Sequence, residues 1–135
     1  MIAYSDNIFT LETEHTSYLF RVTSFGHLEH IYYGSRIPQN EIEPLLTKRI
    51  IMHGSSVLYS TKDDTYCLDN IPLEWSGVGC GDYRQTPIEV KLADGTFRTD
   101  FLYESHEIVT GCVPMETLPN AYDEENTSQT LCVTL

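Results

Sequence analysis

The stretch that decides the fold runs from Leu68 to Pro87 and has the sequence LDNIPLEWSGVGCGDYRQTP. It contains Trp75, the only tryptophan of the chain, and glycines at every second position, namely Gly77, Gly79 and Gly81. Alternating glycines allow the backbone to adopt positive φ angles or to lie directly against another surface. We therefore predict that this stretch crosses another part of the chain in close contact, and is not a solvated loop.

Two charged residues, Asp82 and Arg84, follow the glycines. Side chains two apart on extended backbone point the same way, so we predict a structural ion pair that holds the crossing. The pattern is also similar to a dinucleotide-binding loop, which needs a third glycine where Asp82 stands and a helix after it. Pro87 and a strand-like alternation follow instead, so we do not expect a phosphate site.

Before the crossing, apolar and polar residues alternate in a way typical of strands. A first strand is predicted around Phe9 and Leu11, a second over residues 18–22 and a third over residues 28–33. The short connections between them indicate an antiparallel meander. Within the irregular connection that follows, a single helical turn is predicted at residues 43–48.

After the crossing, Ile88 to Leu92 and Phe97 to Tyr103 alternate around Asp94-Gly95, a strong turn signal, which predicts a β-hairpin. The alternation changes parity before Ile108, so we expect a β-bulge at residues 105–107. The chain ends on an alternating apolar strand at residues 131–135, which suggests a segment of a longer protein. The predicted fold is an all-β antiparallel sandwich.

Composition restricts the classes of partner. The chain has 135 residues, of which 41% are hydrophobic, and its 8 Lys and Arg against 20 Asp and Glu give a net charge of −12. Such a surface repels nucleic acids and anionic lipids, and neither a membrane span nor a secretory signal is evident. Widely spaced cysteines at positions 67, 80, 112 and 132 favour reduced thiols and a cytoplasmic protein.

The crossing also carries a family resemblance. IPLEW at Ile71–Trp75 and GCGDYR at Gly79–Arg84 are similar to the Leu-Pro-x-Glu-aromatic and Gly-x-Gly-Asp-aromatic-Arg segments of the N-terminal region of glycoside hydrolase family 36, the bacterial-type α-galactosidases. Three other places fit the family as well: residues 18–22 followed by 26–34, residues 94–111, and residues 118–122 followed by 130–135. Departures are Trp75 where tyrosine is common, Gln85-Thr86 before the proline, and the poorly matched stretch 50–64.

The resemblance implies a supersandwich of the galactose-mutarotase type over residues 1–135, with the two catalytic aspartates on a (β/α)8 barrel downstream. It implies a retaining hydrolase of terminal α-linked galactose in melibiose- or raffinose-type sugars, without cofactor or metal, assembled as a tetramer. We therefore assign no catalytic residue here. The segment is expected to support the barrel and the oligomer.

The residues themselves offer little chemistry. His27 and His30 are three apart, so a strand would place them on opposite faces, and His53 and His106 are distant in sequence; we expect no metal site. Ser105-His106-Glu107 are sequence neighbours, whereas the members of a catalytic triad meet through the fold.

Binding is the remaining role. Five aromatic residues form a candidate surface for a sugar ring, although core packing or an interface is the favoured interpretation of aromatics: Tyr18, Tyr32, Tyr33, Trp75 and Tyr83. Tetrameric family members place N-terminal loops near a neighbour's active site. The resemblance therefore makes residues 53–66, with Asp64 and Tyr66, the candidate substrate edge. The alternative function is a free-standing β-sandwich that binds carbohydrate or protein.

Overall fold

The computed structural model describes residues 1–38, 42–46, 57–120 and 122–135. Two antiparallel sheets form the fold, one with strands in the order β1-β2-β3-β4 and one with β5 paired to β6. The strands are β1 (Ile2–Ser5), β2 (Ile8–Glu12), β3 (Thr16–Val22), β4 (Leu28–Ser35), β5 (Ser105–Thr110) and β6 (Gln129–Thr134). The described part of the chain also contains two 3₁₀ turns, Glu43–Leu46 and Leu68–Asn70. The predicted all-β antiparallel class is confirmed.

The three predicted meander strands are confirmed as β2, β3 and β4, and the predicted terminal strand as β6. The 3₁₀ turn at Glu43–Leu46 lies where a helical turn was predicted, and residues 47–48 fall outside the described part of the chain. No helix within the described ranges has the length and apolarity needed to cross a bilayer.

The core lies between the two sheets. Phe9, Phe20 and Leu28 of the larger sheet are buried, and Leu131 and Val133 of β6 pack against them. The rings of Phe9 and Phe20 stack with centroids 4.7 Å apart. Burying a large apolar side chain contributes about 1.5–3 kcal/mol, so the packing of Leu131 and Val133 on these rings joins the two sheets into a sandwich.

The strand β1 was not predicted. It pairs with β2 through a two-residue turn in which Asp6 and Asn7 both have positive φ, 52° and 63°. Positive φ at both central residues is the geometry that matches the strand twist in a tight hairpin. Only Tyr4 of this strand packs on the core, with its ring 4.4 Å from that of Phe9, so the apolar signal of β1 is weak.

The bulge predicted at residues 105–107 is wrong. Pairing of β5 with β6 is continuous from Ser105 to Thr110. Ile108 is 37% exposed, whereas Tyr103 packs against the core, so the position of Ile108 does not mark the core face. The register shift lies in β4 instead, where Leu19 pairs with Tyr32 and Phe20 with His30. Ile31 is therefore the extra residue of a β-bulge. The bulge changes which face of the sheet the following side chains point to.

The hairpin predicted over residues 88–103 does not form a strand ladder. The turn itself is present, since the Gly95 N–H donates to the Leu92 carbonyl at 2.9 Å. Residues 97–104 direct their donors elsewhere: Thr99 to Val78, Tyr103 to Gly26 and Glu104 to Thr134. Residues 97–103 therefore do not pair with residues 88–92 as the local alternation suggests.

Candidate functional site

The glycine crossing is in close contact with two other segments, as predicted. A Cβ on Gly77 would lie 2.5 Å from the Thr99 carbonyl oxygen, and one on Gly81, where φ is +88°, would lie 2.9 Å from Val57 Cβ. Val78 and Thr99 exchange two hydrogen bonds of 3.0 Å, one backbone to backbone and one to the threonine hydroxyl. Side chains larger than hydrogen are excluded at these contacts.

The ion pair predicted at the end of the crossing is present. Arg84 Nε donates to Asp82 Oδ1 at 2.9 Å, and the side chain of Asp82 has no exposed surface. The same guanidinium donates to the carbonyls of Ile71 and Leu68, each at 2.6 Å. Arg84 thus ties the end of the stretch back to its beginning.

The electrostatics of Asp82 follow from this pairing. Burial acts to raise the pKa of Asp82, but the hydrogen bonds and the positive charge of Arg84 together outweigh burial and hold the pKa below its ordinary value. The carboxylate therefore stays ionised in the folded protein.

The two substrate-edge candidates lie in different environments. Asp64 is exposed, whereas Tyr66 is only 8% exposed. The Tyr66 hydroxyl lies 2.6 Å from Thr23 Oγ1 and 2.9 Å from His27 Nδ1. Tyr66 is therefore an anchor in the interior, and residues 53–56 of the candidate segment fall outside the described part of the chain.

A network of hydrogen bonds extends from Tyr66 through His27 to Asp100. His27 Nε2 lies 3.0 Å from Asp100 Oδ1 and the Tyr59 hydroxyl donates to Asp100 Oδ2 at 2.8 Å. With His27 Nε2–H donating to the carboxylate, Nδ1 accepts from the Tyr66 hydroxyl, and the Tyr66 oxygen accepts from the Thr23 hydroxyl, so each hydroxyl proton has one acceptor. Burial, aided by the Asp100 hydrogen bond, raises the pKa of Tyr59 to about 12.

This hydrogen-bond network holds Tyr59 and Tyr66, which lie near the two ends of residues 57–66. We call residues 57–66 the 57–66 loop. Inside the loop, the Tyr59 N–H donates to the Tyr66 carbonyl at 3.1 Å. Asp63 Oδ1 accepts from the Thr65 N–H at 2.9 Å and the Thr65 hydroxyl at 2.6 Å, which lowers the pKa of Asp63. The tip is therefore ordered by its own hydrogen bonds while Asp64 faces solvent.

Among the candidate aromatic residues, ring contact joins Tyr18 to Tyr33. Tyr18 and Tyr33 are in edge-to-face contact with centroids 6.0 Å apart, while Trp75 contacts Phe101. Tyr33 is 70% exposed and Tyr83 71% exposed. Tyr32 is held locally, since its hydroxyl donates to the Ser35 carbonyl at 2.8 Å.

The histidines are likewise separated. His27 binds Tyr66 and Asp100, whereas His30 Nδ1 lies 2.6 Å from Glu74 Oε1. Within the described ranges no group of three or more His, Cys, Asp or Glu side chains is placed to hold a metal ion. The candidate His53 lies outside those ranges.

Sequence reasoning missed the role of His27 and Asp100. These residues are 73 positions apart, and no local pattern connects them. Only the path of the chain, which brings residues 98–103 back over the β3–β4 turn, places them together. The same holds for Glu74, which was part of a recognised segment but had no predicted partner.

The comparisons with known proteins agree with this architecture. The model of the Glycosyl hydrolase family 36 N-terminal domain matches residues 26–135. Bifunctional α-galactosidase/sucrose kinase AgaSK from Mediterraneibacter gnavus is 35% identical over 99% of this chain and 14% of its own length. Alpha-galactosidase Mel36A from Lactobacillus acidophilus is 30% identical over 100% of this chain and 19% of its own length.

Solved structures give the same result. The galactosidase domain of AgaSK superposes with a TM-score of 0.87 at 34% identity, covering 98% of this chain and 19% of that one. An AgaA variant from Geobacillus stearothermophilus in complex with raffinose has a TM-score of 0.85 at 26% identity, over 93% of this chain and 17% of the enzyme. The chain therefore spans less than a fifth of these relatives, and it belongs to glycosyl hydrolase family 36 as an N-terminal domain.

Proposed function

We propose that the chain is the non-catalytic N-terminal β-sandwich of an α-galactosidase, and that a (β/α)8 barrel farther along the intact protein hydrolyses terminal α-linked galactose. The observation that carries this proposal is the match to α-galactosidases over nearly the whole chain but only 14–19% of the length of the first two relatives. More than four-fifths of each of these relatives lies outside the part that matches this chain, which is enough sequence for a (β/α)8 barrel.

The contacts of the described carboxylates support a structural role. Asp82 is neutralised by Arg84, Asp100 accepts from His27 and Tyr59, and Asp63 accepts from Thr65. A retaining glycosidase needs two carboxyl groups about 5–5.5 Å apart across an open sugar pocket. These three carboxylates serve separate local contacts, so the two catalytic carboxylates are assigned to the barrel.

The substrates in this proposal are melibiose- and raffinose-type oligosaccharides, and the structure of the AgaA variant with raffinose supports that class. Retaining hydrolysis by two carboxyl groups proceeds without a metal or an organic cofactor. A cytoplasmic location is supported by four cysteines that form no disulfide.

The 57–66 loop has a finer role in the proposal. In a homotetramer it would lie at the edge of a neighbouring subunit's substrate pocket, with Asp64 at the exposed tip and Tyr66 as the buried anchor. The support is its construction: both ends are hydrogen bonded to the interior, and the tip is polar and ordered.

Kinetics of the intact protein test this role. Asp64→Ala should raise KM for raffinose about tenfold, equivalent to about 1.4 kcal/mol of lost binding, and leave kcat for a nitrophenyl α-galactoside nearly unchanged. Glu89→Ala, which removes another exposed carboxylate, is the control. Unchanged raffinose kinetics for both Asp64→Ala and Tyr66→Phe would exclude the substrate-edge role.

A further inference from the structure

A second cluster of polar and aromatic side chains lies on β3 and β4, away from the 57–66 loop. Glu74 is at its centre: Oε1 is 2.6 Å from His30 Nδ1, and Oε2 accepts a hydrogen bond from the Tyr18 hydroxyl. His30 and Glu74 remain 38% and 22% exposed at their side chains. The cluster is thus organised but accessible.

The backbone explains how the cluster forms. The segment before Trp75 lies along the edge of β4, with the His30 N–H donating to the Pro72 carbonyl at 2.6 Å and the Glu74 N–H donating to the Leu28 carbonyl at 3.0 Å. This places the Glu74 side chain beside β4.

The bulge at Ile31 supplies the fourth member of the cluster. Tyr18 pairs with Tyr33 while Phe20 pairs with His30, and Tyr18 and Phe20 share one face of β3. His30 and Tyr33 therefore share a face although they are three residues apart. Without the extra residue they would point to opposite sides of the sheet.

The hydrogen bonds define what the cluster offers. A carboxylate only accepts, so His30 Nδ1 is a donor, and in the neutral tautomer that makes this bond Nε2 is an acceptor. Burial, together with the hydrogen bond to Glu74 and its charge, raises the pKa of Tyr18, so this hydroxyl stays protonated. Tyr33 adds a largely exposed ring at the rim.

We propose that Tyr33 and His30, held in place by Glu74 and Tyr18, form an accessory binding site for a neutral, hydroxyl-rich ligand, a galactoside. An exposed ring packs on the C–H face of a sugar, and a fixed acceptor bonds its hydroxyls. The four side chains include no lysine or arginine, and the net charge of −12 disfavours anionic ligands. The choice of galactoside among sugars rests on the proposed function.

Local protection measures this binding separately from catalysis. Hydrogen exchange of the intact protein, followed by mass spectrometry, is compared with and without methyl β-galactoside, which an α-galactosidase does not cleave. Peptides over residues 16–22 and 28–35 should become saturably protected. Tyr33→Ala and His30→Ala should each raise the half-saturating concentration at least tenfold.

Tyr83→Ala is the matched control, because Tyr83 is 71% exposed against 70% for Tyr33 but lies outside the cluster. It should bind as the unmodified protein does. Three results would overturn the accessory site. They are no protection by the sugar, protection of Tyr33→Ala equal to that of the unmodified protein, and protection that depends on protein concentration without sugar.

Hydrolysis of a nitrophenyl α-galactoside separates this inference from the proposed function. Turnover without sugar-dependent protection of β3 and β4 would remove the accessory site alone. Protection without turnover would remove the enzymatic proposal alone.

Discussion

At the scale of single residues, the crossing depends on positions where a side chain has no room. Gly81 and Gly95 show the distinction, because both have positive φ, +88° and +86°. A Cβ on Gly81 meets Val57 at 2.9 Å, whereas a Cβ on Gly95 meets nothing within 4 Å. The glycine alternation in the sequence pointed to the crossing, but it did not identify which segment would be contacted.

Gly81→Ala should therefore be more destabilising than Gly95→Ala. Both variants bear the left-handed backbone cost of about 1–2 kcal/mol, and only Gly81→Ala adds an overpacking cost of about 1–3 kcal/mol. Chemical denaturation of the two variants measures the difference. Equal free energies of unfolding would show that the crossing is not closely packed at Val57.

The Asp82 carboxylate gives a pH-dependent prediction. Its folded pKa lies below the unfolded value of about 3.9, so the unfolded state binds more protons. The stability from the Arg84 pair is fully present above pH about 4 and is lost as pH falls through the folded pKa. Asp82→Asn should therefore lower stability at neutral pH and weaken its dependence on pH below about 4.

Unfolding free energies measured from pH 2.5 to 6 test this expectation. Asp64→Asn, which removes an exposed carboxylate at the loop tip, is the control. If the unfolding free energy of Asp82→Asn fell as steeply below pH about 4 as that of the unmodified chain, the lowered pKa would not belong to Asp82.

At the scale of elements, local alternation predicted the strands whose partner is the next strand along the chain. β2, β3 and β4 pair with sequence neighbours, so short connections and apolar spacing identified them. The same alternation failed at residues 88–103, where the backbone N–H groups of Thr99 and Tyr103 donate to Val78 and Gly26. A periodic pattern specifies an extended backbone, but distant contacts decide its partner.

The network around His27 is likewise formed by distant residues, and it predicts the dynamics of the 57–66 loop. Asp100→Ala removes the acceptor of both His27 Nε2 and the Tyr59 hydroxyl. A buried donor without a partner costs about 1–3 kcal/mol. Amide hydrogens of the 57–66 loop should exchange faster, by roughly five- to 150-fold for that cost.

The control for this measurement is Glu89→Ala, which removes an exposed acidic side chain near the crossing. Loop exchange should be unchanged in that variant. If exchange in Asp100→Ala matched the control, the loop would be held by something other than the His27 network.

At the scale of the whole molecule, the two sheets, the crossing and the anchored loop form a domain of the glycosyl hydrolase family 36 N-terminal type. The resemblance seen in the sequence identified the family, because the two crossing segments lie in order with matches over most of the chain. It did not locate Glu74 against His30 or Tyr66 against His27. Those contacts require the β4 bulge and the returning 98–103 segment, which no short motif encodes.

We propose that this domain supports an α-galactosidase without cleaving the glycosidic bond itself. The most direct measurement is hydrolysis of a nitrophenyl α-galactoside by the purified 135-residue chain, shown by circular dichroism to be folded β structure, beside the intact protein at equal molar concentration. We expect turnover by the intact protein and none by the chain alone. Turnover by the folded chain that scales with its concentration would contradict it.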